Sequence, residues 1–199
     1  SIQQLPPGAK VGTSSVRRIA QLRHIRADVN CVPLRGNVET RVKKVLSGEY
    51  DAAVMAYAGL HRLGLDDKIS ARLGAEDFVP APAQGAIAVQ IHRKNDAIRE
   101  AVKKIDHKNT RIAVEAERAV LAAVEGGCSM PLGVYGRIEA GKIHLTAILL
   151  SPDGSSALRH SVCDDVEKAQ QRAGELADKL KAEGRDILRQ IREDIEPGS

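Results

Sequence analysis

Between residues 9 and 60 the sequence alternates short apolar runs with stretches of helical periodicity, and this rhythm constrains the fold more than any other feature. "AKVGTSS" leads into "VRRIAQLRHI", "NCVPLRG" leads into "VETRVKKVLSGEY", and "DAAVMAYAGL" follows. The order is β-α-β-α-β, which calls for a parallel or mixed sheet with helices on its faces. In the second helical stretch Val38, Val42, Val45 and Leu46 recur at helical spacing, and Gly48 supplies the stop.

The rhythm breaks at residues 79–85, where "VPAPAQG" reads as a Pro-rich connector between domains, and "AIAVQI" (86–91) then reads as a buried strand. From Lys108 the stretch "NTRIAVEAERAVLAAVEGG" predicts a helix with Ile112, Ala116, Ala119, Val120 and Ala123 on one side, closed by Gly126 and Gly127. Segments around "LGVYGRIE", "KIHLTAILL" and "ALRHSV", separated by Ala140-Gly141 and "PDGS", predict an antiparallel meander. The end of the chain predicts an amphipathic helix interrupted at Gly184, with Val166, Ala169, Ala173, Leu176 and Leu180 facing inward. The expected division is an α/β domain over 1–104, with a hinge near 79–85, and an α+β domain over 105–199.

Charge divides the same way. Residues 1–104 hold seventeen Lys and Arg against ten Asp and Glu, a balance of +7, whereas residues 105–199 hold thirteen against sixteen, a balance of −3. The first half therefore carries the anion-seeking surface. Aromatic residues are 2% of the chain and Trp is absent, which leaves few rings for stacking on bases and weakens a nucleic-acid reading. No apolar run approaches membrane-spanning length and no secretory signal stands at the N-terminus, so a cytoplasmic, soluble protein without a membrane partner is expected. Cys31, Cys128 and Cys163 form no C-x-x-C pair, and the six histidines show no metal-site or zincin spacing, so no metal is expected. A G-x-S-x-G elbow and a P-loop are also absent.

Three features could carry chemistry. In "GTSSVRR" a strand end meets hydroxyls and then a helix with Arg17 and Arg18 in its first turn; Ser14 or Ser15 suits the N-cap. Cations there oppose the helix dipole, which a bound anion would offset, although a plain cap with solvated arginines fits the segment equally. Arg35, Arg41 and Arg62 follow further strand ends, where an open α/β sheet builds its binding crevice, and the guanidinium fork suits carboxylate or phosphate. Cys128 follows a Gly-Gly helix stop; alone it reads either as an inert packed thiol or as a thiol open to an electrophile.

Taken together, "GTSSVRRIAQL", "LRGNVETR", "GEYDAAVMAYAGLHRLGL", "PAPAQGAIAVQ", "AVEAERAVLAAVEGGCSMPLG" and "SPDGS" occur in the order of the porphobilinogen deaminase (hydroxymethylbilane synthase) family, which the chain resembles over nearly all its length. The resemblance implies a periplasmic-binding-protein-like α/β domain followed by a small α+β domain with a three-stranded antiparallel sheet. It implies a transferase that deaminates porphobilinogen and polymerises four units into hydroxymethylbilane. The chain grows on a dipyrromethane cofactor joined by a thioether to the cysteine after Glu-Gly-Gly, here Cys128. By position, Thr13, Ser15, Arg17 and Arg18 correspond to contacts with the cofactor's side chains. Arg35, Arg41 and Arg62 correspond to carboxylate ligands for cofactor, substrate or lengthening polypyrrole, and Gln84 and Gly85 to the hinge motif, with Ala83 where some members have glycine.

One departure matters. The family has a further N-terminal domain before "GTSS", holding an Asp that manages pyrrole N–H charge and protons, and this sequence starts at Ser1, a dozen residues before the motif. The chain resembles the second and third domains only, with no catalytic residue of its own identified. In the family strand 86–91 joins the missing domain's sheet, so here it must find another partner or expose an edge. The expectations are a parent enzyme that works as a monomer and a chain of 199 residues that is inactive alone, with a non-catalytic anion-binding module as the alternative.

Overall fold

The computed structural model describes residues 1–124 and 130–195. The first unit opens with β1 (Lys10–Gly12), α1 (Val16–Ile25), β2 (Asn30–Val32), α2 (Val38–Leu46), β3 (Ala52–Ala53) and α3 (Tyr57–His61). Its three strands are parallel in the order β2-β1-β3. The chain therefore moves one way from β1 to β2 and back past β1 to reach β3. That reversal creates a switch point beside the carboxyl end of β1, where open α/β sheets bind ligands. The expected β-α-β-α-β order is present.

Local chemistry sets the boundaries. Ser15 caps α1, its hydroxyl accepting from the Arg18 N–H, and the Asn37 side chain caps α2 by accepting from the Thr40 N–H. Gly48, at φ +76°, turns the chain after α2. The core of this unit is small: Ala9, Val11, Leu22, Val29 and Phe78. The apolar stripe of α2 is not sealed into it, and Leu46 is 65% exposed.

The second unit is larger and more regular. After α4 (Asp96–Lys103), the long α5 (Lys108–Ala123) precedes β4 (Leu132–Glu139), β5 (Lys142–Leu150) and β6 (Ala157–Asp165), an antiparallel meander in the order β4-β5-β6. α6 (Ala169–Glu183) and α7 (Arg185–Ile195) follow, divided at Gly184 as expected. In β5 Ile143, Leu145, Ala147 and Leu149 point to the helices, where Ala116, Val120, Ala173, Leu176 and Leu180 complete a continuous core. The predicted inner residues of α5, and Ala169, Ala173, Leu176 and Leu180 of α6, belong to that core or pack on it; Val166 lies instead in a short 3-10 turn before α6 and outside the core.

Residues 78–80 differ from a solvated connector. Val79 is fully buried with Ala20, Ile148 and Leu150, between α1 and the meander. Its carbonyl accepts from Arg17 and Gln21 of α1, while the Pro80 carbonyl accepts from the Val134 N–H of β4. The "PDGS" turn closes the same joint from the other side. Gly154, at φ +79°, lies so close to α1 that a Cβ there would sit 2.6 Å from the Ala20 carbonyl, and the Gly154 carbonyl is 3.1 Å from His24 Nδ1.

The strand expected at 86–91 is absent. The segment is coil, with Ile87 88% and Val89 52% exposed. The physical reason is partnership: a single apolar segment gains strand hydrogen bonds only from a neighbouring strand, and none of the described residues provides one.

Candidate functional site

The functional geometry starts at the end of β1. Thr13 is buried; its N–H donates to the Val32 carbonyl and its hydroxyl accepts from the Ser15 N–H. Ser14 ties the loop to the end of β2, donating to the Leu34 carbonyl and accepting from the Leu34 N–H. The carboxyl ends of β1 and β2 are thus clamped together, and the first turn of α1 projects from a fixed base.

Arg17 and Arg18 leave that turn in two directions. Arg17 is only 5% exposed; Nη1 donates to the Val79 carbonyl at 2.6 Å and Nη2 to Gln84 Oε1 at 3.0 Å. Arg18 Nη1 donates to the Val54 carbonyl, just past β3, at 2.8 Å. Both guanidinium groups have oxygen partners of partial charge, and neither meets a carboxylate among the described residues. Burial, and then the neighbouring Arg18, push the Arg17 pKa down to about 10, while burial and Arg41 lower that of Arg18. At neutral pH both remain cations whose solvation has been reduced without an opposite charge in return.

Arg17, Arg18 and Gln84 share the wall of a cleft of about 500 Å³, with Val42, Val45 and Leu46 of α2 forming apolar wall elsewhere. Its only carboxylate among the described residues is Asp51, already engaged by the Lys10 N–H at 2.7 Å. Not every residue expected at the site is there. Arg41 lies near enough to Arg18 to affect its titration, and its Nε donates to the Gly36 carbonyl at 2.7 Å. Arg35 is exposed on the loop after β2, and Arg62 is exposed at the end of α3; neither lines the cleft. Cys128 lies outside the described residues.

The hinge motif shows a division of its own. Ala83 has φ +64° and Gly85 φ +94°, so two left-handed residues flank Gln84. Ala83 is held there by Glu117 of α5: Oε2 accepts from the Ala83 N–H at 2.5 Å and Oε1 from the Gly136 N–H at 2.7 Å. Glu117 is 5% exposed; burial pushes its carboxyl above the ordinary value, with the two backbone N–H groups opposing part of that rise. Sequence reasoning missed Glu117 and Gln21, yet spacing held the signal. Glu117 is four residues from Ala113 and three from Val120 on the inner face of α5, and Gln21 is four residues from Arg17.

A bis-pyrrole bearing an acetate and a propionate on each ring is a fit for these groups. It brings carboxylates to two cations that meet no carboxylate among the described residues, and apolar rings to an apolar wall, whereas Thr13 and Ser15 lie in the turn behind Arg17 and do not line the cleft. Together, fold and cleft define a two-unit α/β and α+β protein whose cleft, at an α/β switch point, has two arginines on its wall.

The comparisons make the class specific. The family model described as "Porphobilinogen deaminase, dipyromethane cofactor binding domain" matches residues 1–100, and "Porphobilinogen deaminase, C-terminal domain" matches residues 111–182. The porphobilinogen deaminase of Carboxydothermus hydrogenoformans is 40% identical over 192 residues, 96% of this chain and 62% of that protein. Those of Corynebacterium diphtheriae and Pelotomaculum thermopropionicum are each 42% identical, over 92% and 97% of this chain and 63% and 62% of theirs. The chain belongs to the porphobilinogen deaminase family, and it spans a little under two thirds of the length of these relatives. No helix among the described residues is long and apolar enough to cross a membrane.

Proposed function

We propose that this chain is the cofactor-holding, carboxylate-gripping part of a cytoplasmic hydroxymethylbilane synthase. The whole enzyme, acting as a monomer, joins four porphobilinogen units with loss of ammonia into hydroxymethylbilane. The observation that carries the reading is the Arg17–Arg18 pair, two partly buried cations without a carboxylate partner among the described residues, on the wall of one cleft. When bound, a dipyrromethane supplies a free pyrrole position on which the product grows.

The chain's own residues hold and orient. Cys128 anchors the cofactor by a thioether, Thr13, Ser15, Arg17 and Arg18 hold its side chains, and Arg35, Arg41 and Arg62 take carboxylates of substrate and lengthening product. Gln84 and Gly85 lie in the hinge. Residues 86–91, whose apolar side chains stand exposed, pair with the portion of the family chain that these 199 residues do not span. Deamination develops positive charge on the substrate pyrrole and calls for a placed carboxylate. Asp51, the cleft's only described carboxylate, is already committed, so these residues alone are inactive.

Intact-mass and peptide mass spectrometry test the assignment. A dipyrromethane-sized addition is expected on the peptide containing Cys128, with occupancy at least tenfold lower in Arg18→Ala. An unmodified Cys128 in full-length protein that converts porphobilinogen would sink it.

A further inference from the structure

We propose that the Gln84 amide stands in for a ligand carboxylate at Arg17, so that seating an anion in the cleft and releasing the 81–86 turn are a single exchange of partners. The proposal rests on the reading of Arg17 and Arg18 as a carboxylate seat and concerns the regulation of that seat.

The Arg17 guanidinium is held asymmetrically. Nη1 is fixed on the Val79 carbonyl, inside the joint between the two units, where Gln21 Nε2 shares the same acceptor at 3.0 Å. Nη2 reaches Gln84, which is exposed and lines the cleft. A carboxylate entering the cleft therefore meets the replaceable side of the fork. Its charge-assisted hydrogen bond is roughly twice as strong as one to a neutral amide oxygen. Nη1 can keep Val79 while Nη2 changes partner, so the exchange does not require the joint to open.

The turn is built to respond. Left-handed Ala83 and Gly85 flank Gln84, and the turn's own backbone bonds are Gln84 N–H to Ala81 carbonyl at 2.9 Å and Ala86 N–H to Ala83 carbonyl at 3.3 Å. Gln84 Oε1 also accepts from the Ala81 N–H at 3.5 Å, and among the described residues two longer-range ties hold the turn: the Gln84 side chain to α1, and the Ala83 N–H to Glu117 of α5. Loss of the first leaves the turn attached to the second unit alone, and the exposed segment 86–91 follows directly. Ligand occupancy is thereby coupled to where that segment goes, with a size set by the anion's advantage over the amide.

Titration calorimetry with porphobilinogen, combined with hydrogen exchange over 81–86, tests the exchange in the wild-type chain, Gln84→Ala and Gln84→Glu. In wild type, porphobilinogen should slow exchange at 13–18 and speed it at 81–86. Gln84→Ala should bind about fivefold tighter, because a competing hydrogen bond is gone, and its 81–86 exchange should be fast with or without ligand. Gln84→Glu should bind about tenfold weaker, since a tethered carboxylate then occupies the fork. Ligand binding without a change at 81–86, or equal affinity in all three proteins, would overturn the exchange and leave the carboxylate seat standing. Absence of binding in wild type and Gln84→Ala alike would remove the seat and the exchange together.

Discussion

The two units differ in what their least exposed arginines meet, although Arg26, Arg72 and Arg99 of the first unit do pair with carboxylates on the surface. In the second unit Arg111, Arg137, Arg172 and Arg189 each face a carboxylate, and most of these pairs lie on the surface. In the first unit Arg17 and Arg18 are drawn inward and, among the described residues, meet only carbonyl and amide oxygens. Core size runs the other way: strands of eight and nine residues backed by helices in the second unit, strands of two and three residues in the first. The larger core lies in the second unit, while the one buried arginine among the described residues stands beside the thinner core of the first. The two meet at Val79, which packs between α1 of the first unit and β5 of the second.

Core truncation should break this comparison most sharply. Leu176→Ala, in the fully buried centre of the second unit, should cost about 2–5 kcal/mol in denaturant titrations, while Leu22→Ala should fall at or below the lower end of that range. Equal losses would show that the two cores are equally cooperative. A smaller effect is expected at Glu117. Its folded pKa is raised, so the stability it lends through proton binding is full below its ordinary value near 4.5 and lost as pH rises through the folded value. Glu117→Gln carries no such proton and should flatten the slope of unfolding midpoint against pH on the acid side of neutrality. Parallel curves for the two proteins would remove Glu117 as the source. The smallest effect belongs to Ala83→Gly, where relief of a left-handed alanine, less the added entropy of the unfolded chain, should raise stability by about 0.5 kcal/mol. A loss of stability would mean that the Ala83 methyl group contributes packing greater than the strain.

Much of this is legible in the amino-acid sequence. The β-α-β-α-β rhythm, the Ser15 cap, the meander and the break at Gly184 follow from local period and local chemistry, which act within a few residues. The joint was harder to read. "FVPAP" looks like solvated linker because prolines cannot continue a helix, but Val79 is buried by surfaces contributed from α1 and β5, distant in sequence. Segment 86–91 is coil for the converse reason: its apolar pattern describes what it can pair with, and a partner strand is supplied only by tertiary structure. At the site, the positions of Arg17 and Arg18 were anticipated, but the inward turn of Arg17 toward Val79 was not. That turn depends on a carbonyl 62 residues along the chain, and no helical or strand period extends so far.

The glycine of the "PDGS" turn gives the joint an unusual vulnerability. Its contribution is an absence of atoms, since the first carbon of any side chain would fall against the Ala20 carbonyl and the Arg23 side chain. Any base change at the first or second position of a glycine codon installs such a carbon or stops translation. One nucleotide at this codon therefore forces the joint to shift, although the encoded residue carries no charge, no hydrogen-bonding side chain and no chemistry of its own.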